Sequence, residues 1–94
     1  MMITTELTQP IVKQMMEVLD YNINIMNQDG VIVASADKSR INEIHQGAVE
    51  VMRNKHERVV YPDDSEHMRG TKAGVNLPIH FHGAVIGTVG ITGH

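Results

Sequence analysis

The chain has 94 residues, 41% of them hydrophobic and 20% charged, with a formal net charge of −3 and no cysteine. A chain of this length forms one small domain that buries roughly 60–65% of its unfolded surface, which leaves stability marginal and a second copy welcome. The acidic balance excludes a broad basic face for nucleic acid, the missing cysteines exclude disulfides and thiolate chemistry, and no stretch approaches the ~20 apolar residues of a membrane span.

The N-terminus lacks the basic, apolar, small-residue order of a signal peptide, so a soluble cytoplasmic domain is expected. From Glu6 to Leu19, Leu7, Ile11, Met15 and Val18 form one helical stripe, and Val12, Met16 and Leu19 form a second beside it. One stripe covers the sheet, and the second is placed either on the same sheet or against a symmetry mate. Pro10 is expected in the first turn, where its missing N–H is tolerated, so the helix is expected to start later than Glu6. Asn22–Met26 alternates polar and apolar, Asp29-Gly30 supplies a tight turn, and Val31–Ser35 runs apolar, which predicts a β-hairpin.

Ile41, Ile44, Ala48 and Val51 recur at helical spacing up to Asn54, predicting a second helix capped by Asn42 or Ser39. Val59-Val60-Tyr61 reads as a short strand. Pro62 and the acids Asp63, Asp64 and Glu66 then open a helix closed by Arg69-Gly70. The last two strands, at about 73–81 and 84–92, are joined at His82-Gly83. This order predicts an α+β fold: a PAS-like antiparallel five-stranded sheet with helices on one face and an N-terminal helix, residues 1–94 forming one domain. No repeat, linker or low-complexity tract interrupts it.

The glycines Gly74, Gly83, Gly87, Gly90 and Gly93 crowd the last two strands, where they weaken strand propensity and imply close approach of the backbone to a ligand or neighbour. Three segments carry a resemblance: Asn22–Met26 through Asp29-Gly30; Ser35–Ile41 with His45-Gln46-Gly47-Ala48; and Gly74–Ile79 with Gly87 and Gly90-Ile91-Thr92-Gly93. Together they resemble the sugar diacid recognition domain, the N-terminal sensor of the carbohydrate diacid regulator family of bacterial transcription factors.

The resemblance implies a sensor for glucarate, galactarate or a related acid such as glycerate, reaching DNA only through an effector domain absent from this chain; the small core and the second helical stripe point to a homodimer. The resemblance also implies ligand contacts from Arg40, His45, Gly74, Val75, Asn76, Leu77 and Pro78. The chain stops after Ile91-Thr92-Gly93, where the family continues into another helix, so a truncated sensor domain is expected. Asn42 stands where family members more often carry glycine.

The chemistry of these residues agrees with an acid ligand. A guanidinium such as that of Arg40 grips a carboxylate through two parallel hydrogen bonds, and a helix start beside it adds N–H donors; pairing with Asp37 is the structural alternative. His45 sits beside the small Gly47-Ala48 and is able to donate to a hydroxyl or carboxylate, or simply to fill the core. Asn76 offers donors and an acceptor to a sugar hydroxyl, and the amides near Gly74 and Val75 are little obstructed. Pro78 removes one ladder N–H, and a bulge around a self-satisfied asparagine is the alternative there. Lys72 is read first as a solvated surface lysine, with a supporting charge for the acid as the alternative.

His80 and His82 share a strand face but have no third ligand of suitable spacing, so no metal site is expected. The seven methionines fit core filling rather than a cofactor. Phosphate loops, nucleophile elbows and zinc-protease helices are missing, and no serine has an assignable base, so neither enzyme activity nor a cofactor is expected. A ligand-free PAS-like dimerisation module is the alternative function.

Overall fold

The computed structural model describes residues 2–92, so Met1, the motif glycine Gly93 and His94, with the expectation about the chain's end, lie outside the described residues. Its elements are α1 (Thr5–Val18), β1 (Asn22–Met26), β2 (Ile32–Ser35), a 3-10 turn (Lys38–Arg40), α2 (Gln46–Asn54), β3 (Arg58–Val60), α3 (Pro62–Ser65), β4 (Gly74–Phe81) and β5 (Ala84–Thr92). The strands pair antiparallel in one five-stranded sheet, ordered β2-β1-β5-β4-β3, which is the α+β layout expected of a PAS-like domain. The two long C-terminal strands have nearly the predicted bounds. Their connection uses positive φ at both His82 (50°) and Gly83 (80°), the backbone a two-residue hairpin turn requires.

Alternation along β1 sends its side chains to two different cores. Ile23 and Ile25 pack with Ile3, Val12 and Ala34 under α1, whereas Met26 packs with Ile32 and Ala48 of α2. Helix α1 therefore covers one face and α2 the other. The register aligns Arg58, Asn76, Gly90, Asn24 and Ser35 as one row straight across the sheet, on the α2 face. Asn24, Ser35 and Asn76 in that row are buried, and buried polar groups must find partners.

Several local expectations are corrected. Helix α1 starts at Thr5, with Thr4 Oγ1 accepting from the Leu7 N–H at 3.3 Å, and Pro10 lies inside the helix rather than in its first turn. Pro10 and Glu6 are both exposed, so the Glu6 carbonyl that loses its helical donor faces water, where the loss costs least. Val12 and Met16 of the second stripe and Met15 of the first pack on the sheet, while Leu7, Ile11 and Val18 of the first and Leu19 of the second are exposed. The first hairpin turns at Asp29-Gly30 as expected, with the Gly30 N–H donating to Asn27 O at 3.0 Å, while Asn27 Oδ1 accepts from the N–H groups of Asp29 (2.9 Å) and Val31 (3.1 Å) and the strand resumes at Ile32.

The second helix starts at Gln46 with His45 as its N-cap, not at Asn42 or Ser39. Residues 41–45 are tied across β2 instead: the N–H of Ile32 donates to Glu43 O at 2.9 Å, and that of His45 to Gly30 O at 2.8 Å. Ile41 and Ile44 thus mimic helical spacing while serving a loop. Asn42 adopts φ 80°, a left-handed backbone that glycine takes without cost and asparagine tolerates better than other side chains. Helix α3 spans only Pro62–Ser65 and does not reach Arg69-Gly70.

Candidate functional site

The polar cleft of interest opens where β1, β2 and the end of β5 meet the 3-10 turn. It holds about 260 Å³ and is lined by Asn22, Asn24, Ser35, Arg40, Lys72 and Thr92, with Asp37 at its side. The 3-10 turn is organised by Asp37, whose Oδ1 accepts from Ser39 N (3.0 Å) and Ser39 Oγ (2.6 Å). Those bonds, with the nearby charges of Lys72 and Arg40, hold the Asp37 carboxyl below its ordinary range.

Arg40 ends that turn rather than opening α2. Its side chain is 12% exposed; the guanidinium donates through Nη2 to the Gly70 carbonyl and places Nε 4.0 Å from Glu43 Oε1. A guanidinium carries five donors, and Arg40 lines the cleft. Asn24 Oδ1 accepts from Ser35 Oγ at 2.5 Å. That bond fixes the amide of Asn24, which lines the cleft.

Behind the cleft lies a second, fully buried cluster. His45 Nδ1 accepts from the Ala48 N–H at 3.1 Å, capping α2, and stands 3.5 Å from Thr71 Oγ1, which itself accepts from the Gly47 N–H at 2.9 Å. Accepting at Nδ1 requires the neutral ring with its proton on Nε2. Burial, and then the charge of Arg40, lower the His45 pKa to about 4, so the neutral form persists. Asn76 Nδ2 donates to Arg58 O at 3.3 Å, and its Oδ1 lies over Gly90, where a Cβ would come within 2.9 Å of it. A Cβ at Gly47 would be 3.1 Å from both Asn76 Nδ2 and His45 Cε1. The small Gly47 foreseen as a close-approach residue therefore brings His45 and Asn76 together.

The structure thus gathers Arg40, His45 and Asn76 on one side of the sheet, with only Arg40 lining the cleft. Gly74 shares that face, but its glycine is explained by β5: a Cβ there would overlap the Ile91 carbonyl. Pro78 also lies on this face, further along β4 opposite Thr88. Val75 and Leu77 point the other way, 36% and 37% exposed, because alternate strand residues face opposite sides. The backbone of 74–76 lies between β3 and β5, so its N–H groups are directed in the sheet plane and not into the cleft.

Asn22, Asn24, Ser35 and Thr92 were not singled out as ligand residues. A signal existed: Asn22 and Asn24 alternate with Ile23 and Ile25, so one face of a central strand was polar where a plain core would be apolar.

The family described as "Putative sugar diacid recognition" matches residues 3–94. The chain is 41% identical over 91 residues to the carbohydrate diacid regulator of Escherichia coli (strain K12), covering 95% of this chain and 23% of that protein. It is 42% identical over 86 residues to an uncharacterized protein of Haemophilus influenzae, covering 88% of this chain and 23% of the relative. It is 30% identical over 87 residues to the uncharacterized protein YsfB of Bacillus subtilis, covering 93% and 24%. The chain therefore spans about a quarter of the length of these curated relatives.

Proposed function

The chain belongs to the sugar diacid recognition family, and from that premise we propose that it is the sensing part of a transcriptional regulator, binding a sugar diacid or a related hydroxy acid in the cleft beside Arg40. The observation that carries this reading is the pairing of two cations, Arg40 and Lys72, with side-chain amides and hydroxyls around one small cavity. A carboxylate has charge-assisted donors in Arg40 and Lys72, and hydroxyl-bearing carbons have Asn22, Asn24, Ser35 and Thr92. His45 and Asn76 act behind this layer, holding the start of α2 and the β3–β4 edge rather than touching the acid. Gly74, Val75, Leu77 and Pro78 have no contact role in this reading.

Binding is read out as a population shift, through unequal affinity for two arrangements of the domain. The names of the family and of the Escherichia coli relative support a recognition role rather than catalysis. DNA contact belongs to an effector domain outside this chain, and the cytoplasm is the proposed location; among the described residues no helix is long and apolar enough to cross a membrane.

Calorimetry and thermal melting with millimolar glucarate, galactarate and glycerate test the proposal. One of these acids is expected to give heat and a raised Tm. Arg40→Lys, which keeps the charge but loses the fork, is expected to weaken binding roughly 10- to 100-fold, the equivalent of one hydrogen bond to a charged group. No heat and no melting shift with all three acids overturns the reading.

The exposed stripe Leu7, Ile11 and Val18 on α1 supports a homodimer through that helix, since such a row on a small domain is better buried. Sedimentation equilibrium is expected to give a dimer for the wild type and a monomer for Ile11→Glu. A wild-type monomer removes the dimer, whereas a dimer indifferent to all three acids favours the ligand-free module.

A further inference from the structure

Helix α1 is lightly held. Among its residues only Thr8 and Val12 are buried, Met15 and Met16 are partly so, and Leu7, Ile11 and Val18 are exposed. Against that background, one polar contact stands out. Gln9 Nε2 donates to the Ser35 carbonyl at 3.0 Å, and Gln9 Oε1 accepts from the Ser35 N–H at 3.0 Å. The side-chain amide thereby completes the outer edge of the edge strand β2, whose other end is already tied to residues 41–45 through the Ile32 N–H and Glu43 O at 2.9 Å.

Ser35 is also a junction inside the cleft. Its hydroxyl donates to Asn24 Oδ1 at 2.5 Å and accepts from the Asp37 N–H at 3.1 Å. Through the first bond it orients a cleft amide, and through the second it anchors the turn that carries Arg40. Ser35 and Ala36 form the wall between the polar cleft and a groove of about 700 Å³ beneath α1, into which Gln9 and Val12 also project. One residue therefore holds the cleft with its side chain and the helix with its backbone.

We propose that the Gln9–Ser35 pair is the joint through which the contents of the cleft bias the docking of α1, the helix that carries the exposed apolar stripe. A ligand that draws Asn24 or the Arg40 turn inward pulls on the Ser35 hydroxyl. The Ser35 backbone then moves relative to Gln9, and the two hydrogen bonds that seat α1 strengthen or break together. Helix α1 is suited to this role because its outer side is exposed and its seat on the sheet rests on Val12, Met15 and Met16 together with this polar pair. The inference rests on the acid-binding reading of the cleft, but its test is built to stand apart from it.

Amide hydrogen exchange of α1 is measured in four chains: wild type, Ser35→Ala, Gln9→Leu and the double variant, each checked by circular dichroism. Ser35→Ala leaves intact the backbone groups that Gln9 uses. It is nevertheless expected to raise exchange of the α1 amides about fivefold in the wild-type background while the amides of β1 and β5 stay unchanged. In the Gln9→Leu background, where the joint is already open, it is expected to add nothing. Unchanged α1 exchange on Ser35→Ala, or equal increases in both backgrounds, overturns the joint.

A second measurement serves if Ser35→Ala does not fold. An acid that gives calorimetric heat should alter α1 exchange in the wild type and leave it unaltered in Gln9→Leu; the same change in both chains overturns the joint. Absence of heat with glucarate, galactarate and glycerate counts against the ligand reading alone, because the variant cycle needs no ligand.

Discussion

Gly70→Val is expected to lower folding stability by about 3–4 kcal/mol, among the largest effects of a single substitution in this chain. Gly70 adopts φ 66°, and a Cβ there would lie on the carbonyl oxygen of Ile44. The left-handed backbone by itself costs roughly 1–2 kcal/mol for a residue with a side chain. The remainder comes from displacing a backbone carbonyl that has no flexible end to swing away. The shift also breaks two contacts at the site: the Gly70 carbonyl accepts from the Arg40 guanidinium, and the neighbouring Arg69 carbonyl accepts from the Gln46 N–H at 2.8 Å. Gly83→Val is the control, since Gly83 has φ 80° but open space around its Cβ position, and only the backbone cost of roughly 1–2 kcal/mol applies. Urea denaturation of both variants decides it, and equal losses would show that packing against Ile44 contributes nothing.

Acid is expected to destabilise the domain through His45 well above the pH at which carboxylates titrate. The His45 pKa is lowered from 6.5 to about 4 in the folded chain. Between those values the unfolded chain holds the extra proton and the folded chain does not, so stability rises with pH across this window. The contribution is fully present above pH 6.5 and is lost progressively below it, reaching a floor under pH 4. At about 1.4 kcal/mol per pKa unit, it comes to ~2 kcal/mol between pH 7 and pH 5. Protonation at Nδ1 would also remove the acceptor that caps α2. His45→Asn keeps a capping side chain and is expected to flatten the dependence on pH. Urea midpoints at pH 7 and pH 5 for both proteins measure the difference, and an equally steep loss in His45→Asn would assign it to other groups.

These two residues also mark how far the sequence could be read. Gly70 was legible as a helix terminator, but the helix it was meant to close ends at Ser65, and the glycine serves a close approach to a loop 26 positions earlier. His45 was legible as a residue near the second helix and not as its cap, because the spacing of Ile41, Ile44 and Ala48 matches a continuous helix. Only the bonds from 41–45 to β2 remove the first turn. Arg40 was read as the cation of the candidate site, yet its assumed setting at a helix start gave way to a 3-10 turn organised by Asp37.

Sequence alone determined what depends on neighbours along the chain: strand alternation in Asn22–Met26, the positive-φ turn at His82-Gly83, the helical period of residues 6–19, and the motifs that mark the family. Those features follow from backbone sterics and side-chain period, which act over a few residues. Tertiary structure decided which stripe of α1 meets the sheet, which members of Gly74–Pro78 face the site, and that Asn24 and Ser35 stand beside Arg40. These depend on strand order and register, which bring together residues far apart in sequence. A register shift of a single residue would have turned Asn24 and Asn76 to the opposite face.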